Sequence, residues 1–308
     1  MKKCINETHI EGLLYEHKLE LKVSGENSKH PGTQFISGTV SVATDDECLN
    51  VIEVHYTYVT ATTSKGNPDS RWTVLKNIID GVYGTVMTKG KESAAKVRID
   101  SAIGLNDFYV EREGQETLVS AKRNEGGFIR IVDALSEDEK TRNTFKVDMV
   151  ITNVSHIEAN EERNLPEKAV IKGAVFDFRN ALMPVEFSAV NAGAINYFES
   201  LDASPKNPVF TKVWGRQISE TVVRKIVEES AFGDASVREV RNSHKDWVIT
   251  GASTEPYVWD DESTITAAEL TKAMADRETY LAGVKQRRDE YLASKNGGSS
   301  TPSGGFNF

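Results

Sequence analysis

In the segment NPVFTKVWGRQISETVVRKI, Asn207 to Ile226, extended chain would place Phe210, Lys212, Trp214 and Arg216 on one side and Thr211, Val213 and Gly215 on the other. A core face does not normally carry two cations, whereas a surface on which nucleic-acid bases stack uses aromatic and basic residues together. Two readings stand: buried aromatics on an ordinary strand, or a platform of Phe210 and Trp214 flanked by Lys212 and Arg216. Charge is segregated in the same sense. Lys206 to Lys225 holds Lys206, Lys212, Arg216, Arg224 and Lys225 against Glu220, and Lys89 to Arg98 holds Lys89, Lys91, Lys96 and Arg98 against Glu92. Lys96, Arg98, Trp72, Tyr58 and Phe178 join the candidate set, although Val54, Tyr56 and Tyr58 alternate as a plain core face would.

Other chemistries find little support. GTVMTKGKES approaches a phosphate loop, but its glycines are one residue too far apart and Glu92 stands where Ser or Thr is required. The histidines at 9, 17, 30, 55, 156 and 244 lack metal-ligand spacing, and Cys4 and Cys48 have no paired spacing. The acidic runs DDE at 45–47 and WDDES at 259–263 read as solvated loop and helix-start charges. No catalytic site, metal or cofactor is expected.

The elements that must position these residues are mostly strands. HIEGLLYEHKLELKV, TQFISGTVSVAT and NVIEVHYTYVTAT precede a helical SRWTVLKNIIDGVY, and AAKVRID, DFYVERE and GGFIRIVD follow it. After FKVDMVITNVSHIE, the polar run Glu158 to Lys168 reads as a linker. A second unit then runs AVIKGAVFDFRN, MPVEFSAVN and PVFTKVWGRQI, a helical SETVVRKIVEES, SVREVRN and KDWVITGAS. The repeated order, and the match of IEGLLYE at Ile10 with IKGAVFD at Ile171, suggest duplication. Beyond Ser253 the composition turns to Ala, Glu, Lys and Arg, predicting a long helix capped by Ser263 or Thr264 and packed on the body or on a partner. A Gly/Ser segment then ends in Phe306 and Phe308.

The 308 residues, 39% hydrophobic and 27% charged, suit a globular chain, and the net charge of -9 argues against a surface that attracts phosphate everywhere. No stretch approaches 18 consecutive apolar residues, which predicts a soluble protein of the cytoplasm (of a host, if viral) with no membrane partner.

FTKVWGRQISETV resembles the stretch of bacterial-type single-stranded DNA-binding proteins in which a third barrel strand ends in an aromatic, a small residue and a base, here Trp214, Gly215 and Arg216, before the barrel helix. IEGLLYE and IKGAVFD are similar to that family's first strand. Ile218 stands where a small residue is typical, and SGGFNF lacks the usual acidic tail residues. The resemblance implies a divergent, two-barrel form such as bacteriophages encode. Its fold would be mostly β, with OB-like small barrels at 1–157 and 169–253 about a linker at 158–168, a helical segment at 254–295 and a disordered tail at 296–308. It further implies non-catalytic, sequence-independent binding of single-stranded DNA in replication or recombination, with Phe306 and Phe308 docking partner proteins. Assembly of identical copies stays open. The alternative is a phage virion or assembly protein built of β domains.

Overall fold

The computed structural model describes residues 3–26, 28–112, 114–160, 166–228, 236–261 and 264–296, with side chains described in those ranges except 220–244 and 296. The first strands are β1 (Asn6–His17), β2 (Glu20–Val23), β3 (Gln34–Ala43) and β4 (Val51–Thr60). Helix α1 (Ser70–Ile79) and the short α2 (Val86–Lys89) come next, then β5 (Lys96–Arg112) and β6 (Gln115–Ile131). The second half comprises β7 (Asn143–Ile157), β8 (Lys168–Phe176), β9 (Leu182–Ala189), α3 (Ala192–Ser200), β10 (Val209–Glu228), β11 (Ser236–Ala252) and α4 (Ala267–Asn296).

Hydrogen bonding closes two rings. In the first, β1 pairs antiparallel with β3, β3 with β4 and β5 with both β1 and β6, while β4 and β6 run parallel through Val54 and Asn124. In the second, β7 pairs antiparallel with β8, β8 with β9 and β10 with both β7 and β11, while β9 and β11 run parallel through Ser188 and Val248. Each is a five-stranded Greek-key barrel with its helix after the third strand, the OB topology. A further pairing of β1 with β7 joins the rings. The protein is therefore mostly β, as expected, with a long C-terminal helix.

Alternation explains the interiors. Ile52, Val54 and Tyr56 of β4 point inward with Ile10, Val40, Ile99 and Ile129, and Leu75 and Ile78 of α1 close that barrel. Asp69 caps α1 by accepting from the Arg71 backbone N–H. The second core gathers Phe145, Val147, Ile171, Phe187, Val213 and Ile249 beneath Ile195 and Phe198 of α3, which Asn191 caps. Each such side chain contributes about 1.5 to 3 kcal/mol of burial. Gly38 and Gly173 occupy corresponding bends in the second strands. A Cβ at either would collide with a carbonyl oxygen, of Lys18 or of Val150, and Gly38 also has φ 130°.

The second unit begins one strand earlier than the sequence suggests. FKVDMVITNVSHIE is the first strand of the second ring, so the expected linker lies between β7 and β8, inside that ring. IEGLLYE accordingly falls in a first strand and IKGAVFD in a second, and their match is not an equivalence. The helix expected after Arg216 is strand: β10 runs on to Glu228 in register with β11. Val222, Val223, Ile226 and Val227 permit either periodicity, but their β-branching and a long hairpin partner favour the extended form. The second ring's helix is α3, in the short stretch AGAINYFES.

Helix α4 is capped by Thr266, whose hydroxyl accepts from the Glu269 N–H while the Glu269 carboxylate accepts from the Thr266 N–H, so the cap lies beyond Thr264. It packs on the body. Leu270 and Ala273 meet Ile265, Phe176, Leu182 and Phe210, and Arg277 makes a bidentate pair with Asp107 of β5 at 2.5 and 2.7 Å. No described helix is long and apolar enough to cross a membrane. The expected tail lies outside the described residues.

Candidate nucleic-acid interface

A groove of about 440 Å³ opens over β3 and β4 of the first barrel, beneath the β2–β3 hairpin. The hairpin exists because Ser24, Gly25 and Gly32 turn the chain between two extended runs, with Ser24 and Thr33 bonded across its base. It carries Lys22, Lys29 and His30 to the groove, and the barrel wall supplies His55, Thr57 and Arg123. None of the described lining residues is acidic.

Tyr58 provides the aromatic face. Val54 and Tyr56 are buried, but the β3–β4 register shifts between Ile36 and Gly38, so Val59 takes the buried side and Tyr58 turns outward, 45% exposed, with its ring 4.6 Å from that of buried Phe35. Its hydroxyl lies 3.2 Å from the Ser24 hydroxyl. The Phe35 buttress and this hydrogen bond hold one Tyr58 face ready for a flat partner at little further cost in side-chain entropy.

The cations are partly compensated. Lys22 lies 3.0 Å from Glu20, and Arg123 Nε donates to Glu125 at 2.7 Å. Burial and then the neighbouring Arg123 hold His55 below its ordinary pKa, leaving it neutral at pH 7. The groove therefore has a modest positive field, an aromatic plate and abundant hydroxyls. It can track a phosphate backbone and stack a base.

Of the residues the sequence singles out, only Tyr58 lies here. Phe210 is 1% exposed, packed between Tyr257 and Trp259, so both its faces are covered. Trp214 is 40% exposed but lies across Gly251 of β11, while Lys212 and Arg216 are half-buried on the same outer face. That face belongs to a fourth strand, away from the second and third strands that form the binding face of such barrels. Trp72 packs on the first core. Lys96 donates to the Asp133 carbonyl, and Arg98 is paired at 2.7 Å with fully buried Glu11. Phe178, 78% exposed, stands on the β8–β9 turn beside Arg179, remote in topology from the groove. Phe306 and Phe308 lie outside the described residues. The sequence reading missed Lys22, Lys29, His30, Phe35 and Arg123. The available signal was a Gly/Ser/Pro loop carrying Lys29 and His30, SGENSKHPG, between the first two barrel strands.

The barrels are locked by a buried polar network. Asn124 and Gln217 exchange two amide hydrogen bonds at 2.8 and 2.9 Å, and Asn50 donates to the Gln217 carbonyl at 3.3 Å while accepting from the Ser219 N–H at 2.6 Å. Lys122 of β6 reaches the Glu186 carbonyl of β9 and lies 4.3 Å from the Phe187 ring centre and 4.9 Å from that of Trp247.

A search of curated proteins finds no match. Among solved structures, a deletion mutant of the single-stranded DNA-binding protein from Thermus aquaticus is similar over 85% of this chain and 100% of its own, with 9% identity and a TM-score of 0.46. The ring topology above rests on hydrogen bonding alone. The YorF family model matches residues 5–287, from the start of the first barrel well into α4, and the chain belongs to the YorF family.

Proposed function

We propose that this protein binds single-stranded DNA without catalysis and with little sequence preference, using the first-barrel groove. The observation that carries the reading is the Tyr58 plate, braced by Phe35, inside a groove lined by Lys22, Lys29 and Arg123 and, among its described residues, by no acid. Stacking accepts any base, and phosphate contacts carry no sequence information. Such a protein would cover strands exposed during replication or recombination, with Phe306 and Phe308 as the docking element for proteins of those processes. Fluorescence anisotropy with a labelled oligothymidylate at low salt tests the binding. Micromolar or tighter association that weakens with added salt is expected, and no association would sink the proposal.

A further inference from the structure

The groove does not end at His55. His55 and Arg123 also line a smaller cleft of about 100 Å³, where β4 and β6 meet the β10–β11 hairpin of the second barrel. Its far wall carries Lys245 of β11, whose side chain is 66% exposed with Nζ 3.7 Å from Glu53 Oε2. The other carboxylate here, Asp246, is already committed to Lys168 at 3.2 Å and to the Trp247 N–H at 2.7 Å. The cleft is too small for a nucleobase on an aromatic plate, but its cations and size suit a phosphate. From Tyr58 to Glu53, β4 advances about 17 Å at ~3.3 Å per residue, longer than a single nucleotide.

Taking the groove as a single-strand surface, we infer that the junction cleft is its phosphate-binding continuation, so that one strand runs from Tyr58 along β4 to Lys245. The second barrel then contributes a cation and no stacking platform. Its own second- and third-strand face agrees: Lys172 pairs with Glu186 at 3.9 Å, and Ala174, Phe176 and Leu182 lie in the apolar cluster with Ile265, Leu270 and Ala273. A phosphate at Lys245 displaces Glu53, so the two side chains affect binding with opposite sign.

The test uses the full chain with oligothymidylates of about 4 and about 16 nucleotides, the range of site sizes for one such barrel. Lys245→Glu should weaken the longer oligomer about fivefold or more at low salt and the shorter by less than about twofold, whereas Glu53→Gln should tighten the longer one. Equal weakening of both lengths, or an unchanged longer one, overturns the path while leaving the groove standing. If the unmodified protein binds neither length, the groove reading fails and the path with it. Melting temperatures confirm that the exposed Lys245 substitution leaves the fold intact.

Discussion

Residue chemistry turns on what each side chain already touches. Tyr58 is half-exposed and buttressed, so Tyr58→Ala should cost roughly 1 to 3 kcal/mol of DNA affinity, about 5- to 150-fold, with a small change in melting temperature. Trp214→Ala, by contrast, should leave affinity unchanged in the same titration, because Trp214 lies over Gly251 on a fourth strand. Arg98 is the opposite case, a cation whose charge is spent. Glu11 is fully buried; burial alone would raise its pKa, but Arg98 and the Ser136 N–H together hold it below the usual carboxylate range. A depressed carboxyl contributes stability above its unfolded pKa and loses it as pH falls through the folded value. Arg98→Met should therefore destabilise by about 3 kcal/mol near neutral pH, and by less in acid, once Glu11 accepts a proton. Urea titrations across that range measure the difference.

At the scale of elements, the same local patterns meet different neighbours. SRWTVLKNII and the Ala/Glu/Lys-rich end were legible as helices because an apolar stripe and good helix formers agree. SETVVRKIVE satisfies both periods, and only the hairpin partner decides for strand. AGAINYFES escaped notice because nine residues offer too few turns for a periodicity to stand out. Helix α4 is tied to the first barrel by the Arg277–Asp107 pair, whose side chains are 11% and 1% exposed. Arg277→Met leaves Asp107 buried with Ser120 as its remaining partner and should lower stability by about 3 kcal/mol in a denaturant titration. An undiminished midpoint would show that the pair contributes nothing net.

For the whole molecule, the two barrels are alike in topology and unlike in surface, and the proposed stacking face belongs to the first. With about three cations in the groove, the logarithm of the binding constant should fall with log salt at a slope of about -2, shallow for a protein of this size. Titrations at several salt concentrations check it, and a slope near -6 would mean that much more of the surface takes part. The barrel junction carries its own pH signature. Burial pushes the Lys122 amine down to about 7, outweighing Asp246 and Glu186 nearby. The unfolded chain then binds more protons than the folded one between that value and the ordinary lysine range, so stability should rise from pH 7 toward pH 9. Lys122→Met should flatten the rise.

The sequence by itself determined the mostly β character, the order of strands and helix in the first unit, the long terminal helix and the pairing of aromatic with basic residues as the chemistry to look for. These are local or additive properties, written in periodicity and composition. Tertiary structure alone decided which strands close each ring, since β7 joins β8 and β10 through pairings that no short window contains. It also decided where the aromatic-basic chemistry sits. Phe210 alternates as a surface residue would, yet it is sealed by Tyr257 and Trp259 nearly fifty residues away, while Tyr58 alternates as a core residue would and is turned outward by a register shift against β3. Exposure belongs to the packed whole, because a side chain is covered by whatever the chain brings against it from a distance.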